Sequence, residues 1–162
     1  FALIGMVLAY AKPKIEEMQD KAIIEQSVGV MEEIDAMITS VVQGGPGNKR
    51  KIELGIKKGE FIINGSSDSD GEFDSIVFHM ESRYAYSQIG TKADFGDLTA
   101  LTEKKGNLND VTITRTYTTY NIKFDGEDVI KQINKAPTPY IIFITNEGED
   151  ANKDVVINFE LG

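Results

Sequence analysis

Apolar and polar positions fall into two regimes along this chain. Residues 1–11, Phe-Ala-Leu-Ile-Gly-Met-Val-Leu-Ala-Tyr-Ala, carry no charge and are almost wholly apolar. The run ends at Lys12-Pro13-Lys14 and is well short of the roughly 20 residues with which a helix crosses a bilayer. From Lys14 to about Val42 the pattern is that of an amphipathic helix. Ile15, Met18 and Ala22, then Val30, Ile34, Met37, Ile38 and Val41, recur at spacings of three, four and seven, with Glu, Asp and Lys between them. Gly29 is the only glycine between Gly5 and Gly44, and Pro13 is expected to kink or open the helix. Gly44-Gly45-Pro46-Gly47 supplies a C-cap and a turn. A helix from residue 1 to this turn would be roughly 60 Å long at 1.5 Å per residue, against a mean of about 11–12 residues for globular helices. A small domain cannot bury all of it, so part is expected to lie in lipid or against partner subunits.

After Pro46 the period changes to two. Ile52, Leu54 and Ile56 share one face of residues 51–57, and a second run follows at 61–64. Ile76, Phe78 and Met80 line one face of 73–80, Tyr84 and Tyr86 one face of 83–89, and residues 98–102 form a weaker run. Over 111–124 the phase slips: Val111, Ile113 and Tyr117 fall on one face, Tyr120, Ile122 and Phe124 on the other. That predicts a bulge or break near Thr118-Thr119. Further strands are expected at 129–133, at the continuously apolar 139–145 and at 155–161. Short strands with Gly, Asn and Asp turns and no intervening helix indicate an antiparallel sandwich or barrel. The expected class is therefore α+β: a helix over 1–43, then an antiparallel all-β head, an Ig-like sandwich, over 44–162.

Charge and composition narrow the function. The net charge is −9, and no basic stripe offsets it, which argues against nucleic-acid binding. No cysteine is present, so disulfides and thiolate metal sites are unavailable; with one histidine, His79, so are multi-histidine metal centres. Alternation turns His79 away from the Ile76 and Phe78 face, toward the surface, and no carboxylate pair stands at a recognisable catalytic spacing. No enzymatic activity and no cofactor are expected. Residues 67–74, Ser-Asp-Ser-Asp-Gly-Glu-Phe-Asp, imitate half of a calcium loop, making Asp68, Asp70 and Asp74 weak calcium candidates. Ser66 and Val77 occupy the first and twelfth positions, where such a loop needs carboxylates. Asn64-Gly65-Ser66 is a sequon, so Asn64 is the candidate glycosylation position. Thr112, Thr114, Thr116, Thr118 and Thr119 read as β-propensity. Tyr84, Tyr86, Tyr117 and Tyr120 are an alternative: an aromatic platform on a secreted, glycan-binding β domain.

The apolar start at 1–11, the amphipathic continuation to Val42, the turn over 44–48 and the all-β head together resemble archaeal type IV pilin-like proteins, with archaellins a close relative. Phe1 is similar to the mature end left by prepilin peptidase, whereas Gly5 stands where bacterial-type pilins carry Glu. The resemblance implies an extracellular, cell-surface filament built as a homopolymer, with subunits held in the membrane before assembly and heads facing cell-surface or glycan ligands. It implies a filament core made by Phe1, Leu3, Ile4, Met6, Val7, Leu8, Tyr10, Ile15, Met18, Ile23, Ile24, Val30, Ile34, Met37 and Ile38. The runner-up is a membrane-anchored accessory protein that does not polymerise.

Overall fold

The structure, a computed structural model, describes residues 2–66 and 73–162, and for residues 2–8 and 10 the backbone alone. One helix, α1 (Ala2–Gln43), is followed by ten strands: β1 (Lys49–Leu54), β2 (Glu60–Asn64), β3 (Asp74–Ser82), β4 (Ala93–Phe95), β5 (Leu98–Lys105), β6 (Leu108–Tyr117), β7 (Tyr120–Phe124), β8 (Ile130–Asn134), β9 (Tyr140–Glu149) and β10 (Val155–Leu161). The strands form two sheets, ordered β1-β9-β10-β7 and β4-β5-β6-β3-β2-β8. All pairings between strands are antiparallel except β7 with β10, which run parallel.

Period-two patterning accounts for most of this. Ile52 and Leu54 on β1, Phe61 and Ile63 on β2, and Ile76, Phe78 and Met80 on β3 all point into one core. The phase slip over 111–124 has a topological cause. At Thr118-Thr119 the chain leaves the six-stranded sheet and enters the four-stranded one, so Tyr117 and Ile122 are buried from opposite sides of the sandwich. Residues 83–89, expected as a strand, are irregular instead, with bends at 83, 84 and 87 and only an isolated bridge from Ile89 to Thr102. Tyr84 and Tyr86 pack on the core without a ladder partner, whereas the short edge strand β4 had no comparable pattern to announce it. The apolar run in β9 is buried on one face only: Ile142 and Ile144 point inward while Ile141 is exposed.

The helix belongs to the head for half its length. Ile24, Val28, Met31, Ile34, Ile38 and Val41 are buried, at spacings of three and four, in the same cluster as the strand core. α1 continues through Pro13 without interruption. It ends where the N–H of Gly44 bonds to the Ser40 carbonyl and that of Gly45, at φ 83°, to the Val42 carbonyl. This is the left-handed exit that glycine permits at low cost.

Candidate interaction surface

The helix has two environments, and polar contacts mark where one becomes the other. The first ion pair from helix to head, among the described residues, joins Glu16 to Arg83. One turn on, Asp20 is buried at 4% exposure. It accepts a 2.8 Å bond from Lys58 Nζ and another of 2.8 Å from the Arg83 backbone N–H. The β1–β2 turn that presents Lys58 closes at Gly59, with φ 80°, where a Cβ would collide with the His79 carbonyl oxygen. Further along, Asp35 accepts from Arg115 Nε and from the Tyr117 hydroxyl, both at 3.0 Å, and the Arg115 guanidinium lies over the Tyr117 ring. Burial and the nearby Asp35 carboxylate raise the Tyr117 hydroxyl well above its ordinary pKa. Burial and Glu25 raise Tyr86 in the same direction. At the far end, the buried Asn146 donates to the Val41 carbonyl at 3.0 Å and so satisfies one of the orphan acceptors of the last turn.

Before Asp20 the helix is open. Ile15 is 53% exposed and Met18 72%; Ala22, just past Asp20, also faces solvent. The fifteen residues expected in a filament core therefore divide. Ile24, Ile34 and Ile38 are buried in the head's own core, their side chains covered by this chain's strands. Ile23, Val30 and Met37 are partly buried against the same core. Ile15 and Met18 are available to another surface. Phe1, and the side chains of Leu3, Ile4, Met6, Val7, Leu8 and Tyr10, lie outside the described residues. Asp20, Lys58 and Arg83 were not singled out by the sequence. The one signal available was that Asp20 lies four residues before Ile24, on the stripe that continues to Val28 and Met31.

The remaining candidates resolve as follows. His79 is half-buried on the outer face of the six-stranded sheet, with Nδ1 3.1 Å from Glu60 and Nε2 against Asp110. Both ring nitrogens are thus engaged by carboxylates, beside an open groove of about 410 Å³ that Lys58, Asn134 and Lys135 also line. Asp74 is buried and accepts from the Ile122 N–H at 2.7 Å, joining β3 to β7 across the sandwich; it is therefore not a free loop ligand. Asp68 and Asp70 lie outside the described residues, and among the described residues no cluster of His, Cys, Asp and Glu could hold a metal ion. Asn64 is half-buried, and its side-chain oxygen accepts from both the backbone N–H and the hydroxyl of Ser66. The four tyrosines form no platform. Tyr117 is in the core with Tyr120 beside it, ring centroids 6.0 Å apart, while Tyr84 lies under Lys21 and Tyr86 packs on Phe95.

No known family model, curated protein or solved structure matches this chain. Among the described residues, no helix is long and apolar enough to cross a membrane.

Proposed function

We propose that this chain is a structural, non-enzymatic subunit of an extracellular filament of the type IV pilus kind, polymerising through the N-terminal part of α1 and displaying an Ig-like head. The observation that carries the reading is the division of α1 at Asp20. Its C-terminal half is core of the head, whereas Ile15 and Met18 lead an apolar segment away from it. Each Leu, Ile or Met side chain buried between subunits contributes about 1.5–3 kcal/mol. The apolar positions of 1–18 thus supply a large drive for helix-to-helix packing, while the head keeps a closed core of its own. The resemblance to pilin-like proteins in layout supports the same reading.

The discriminating experiment is removal of detergent from the full chain, followed by electron microscopy. Fibres with a regular subunit repeat are expected. A chain that stays monomeric would overturn polymerisation and leave a membrane-associated accessory protein as the reading.

A further inference from the structure

Charged side chains gather at both ends of the head along the helix axis. At the end where α1 leaves the sandwich, three connections converge. The β1–β2 turn carries Lys57 and Lys58, the residue after β3 is Arg83, and the β5–β6 hairpin carries Lys104 and Lys105. Lys135, after β8, lines one groove with Lys57 and another with Lys58. The hairpin joins the same end because Ser82 pairs with Asn109, whose side chain donates to the Arg83 carbonyl. Some of this charge is neutralised locally: Asp20 holds Lys58, Glu16 holds Arg83 and Glu81 holds Lys105. Lys57, Lys104 and Lys135 are exposed and have no ion-pair partner among the described residues. Glu103 on the hairpin and Glu53 near the end of β1 are exposed carboxylates at the same end, also without an ion-pair partner among the described residues. The opposite end, around the β9–β10 turn, carries Glu147, Glu149, Asp150 and Asp154 against Lys153, with Lys49 and Arg50 at the adjoining start of β1.

The end carrying the free lysines is the one from which the apolar segment departs. Lys12 and Lys14 follow that segment directly, and Lys14 lies about 9 Å along the axis below Asp20 at 1.5 Å per residue. The screening length at physiological salt is about 8 Å, and lysine stems extend the charge further toward a surface beneath the head. If residues 1–11 enter a bilayer before assembly, Lys12 and Lys14 lie at the headgroups with the three free lysines one layer above them.

We propose that Lys57, Lys104 and Lys135 form a collar that docks the head on an anionic lipid surface before assembly, fixing the helix upright. The inference rests on the reading of residues 1–11 as the membrane-associated part of a filament subunit. Lysines near an anionic bilayer each strengthen binding by about five-fold, so three together give on the order of a hundred-fold.

The test uses freshly diluted full chain with two kinds of vesicle: phosphatidylcholine alone, and an equal mixture of phosphatidylcholine and phosphatidylglycerol. Co-flotation is compared for the wild type and for the triple variant Lys57→Gln, Lys104→Gln, Lys135→Gln. The wild type should prefer the anionic vesicles by more than about a hundred-fold, because Lys12 and Lys14 add to the collar, and this preference vanishes near 1 M salt, where the screening length is about 3 Å. The triple variant should lose most of the preference, keep the wild-type affinity for phosphatidylcholine and melt at the same temperature. Equal partition of the wild type onto both vesicles overturns the collar. So does a triple variant that keeps the preference, and if that variant also loses its fibres, the lysines pair with the acidic β9–β10 turn of a second copy instead. A preference that survives in a chain forming no fibres supports the collar and sinks the filament reading alone. No vesicle association of any kind overturns both.

Discussion

Three polar side chains do for α1 what its apolar stripe cannot, which is to fix its depth and rotation against the sheets. Asp20, Asp35 and Asn146 each give a buried or half-buried group a directional partner on another element. Replacing Asp35 with Ala leaves the Tyr117 hydroxyl and the Arg115 Nε–H without their acceptor, while Arg115 Nη1 keeps the Thr116 carbonyl. Orphaning such groups costs about 1–3 kcal/mol, so the melting temperature of Asp35→Ala should fall by several degrees, and an unchanged melt would remove the clamp from the account. Tyr117 also sets an alkaline limit. Burial raises its pKa, so the folded state favours the protonated hydroxyl. The stability this contributes is fully present below about pH 10, the ordinary tyrosine value, and is lost as pH rises beyond it. Melting curves should therefore decline above about pH 10, and Tyr117→Phe should flatten part of that decline, with Tyr86 contributing in the same direction.

At the scale of the element, the helix is a projecting apolar segment joined end to end with a core helix, and truncations should separate the two. Deleting residues 1–14 removes nothing from the buried cluster and should leave a cooperatively folding, soluble, monomeric head. Deleting residues 1–43 removes six buried apolar side chains and should abolish cooperative unfolding. A head that folds without the helix would contradict the packing described here. Within the full chain, Ile38→Ala should cost about 2–5 kcal/mol as a large-to-small change in a closed core, whereas Ile15→Ala should leave the melt of the head unaltered. The sequence made the helix, its glycine end and nine of the ten strands among the described residues legible, because each rests on a period that local sterics impose. It did not distinguish the two halves of α1. Ile15 and Met18 extend the same spacing as Ile34 and Ile38, and only the reach of the strands, ending near Lys58 and Arg83, decides which of them is covered. The edge strand β4 and the irregular stretch at 83–89 escaped for the same reason: three residues carry too little pattern, and Tyr84 and Tyr86 alternate without a ladder to join.

Across the whole molecule, the candidate surface was legible as a quantity before it was legible as a place. Helix length and apolar content led to the expectation that some of the helix finds a partner outside its own domain, but the boundary at Asp20 depends on ion pairs between residues up to 67 apart in sequence, Glu16 with Arg83. On the proposed reading, the same geometry separates assembly from folding. Met18→Asp places a carboxylate on the open face of the helix, where it should prevent fibres while leaving the head's melting temperature unchanged. A variant that loses both together would tie Met18 to the head's fold instead. The most direct test of the central claim is electron microscopy of the full-length chain after detergent removal. Fibres of regular repeat are predicted, with the segment before Asp20 at their centre and heads outside, and they should be absent from the chain lacking residues 1–14. Monodisperse monomers of the full chain, or fibres that persist without residues 1–14, would contradict it.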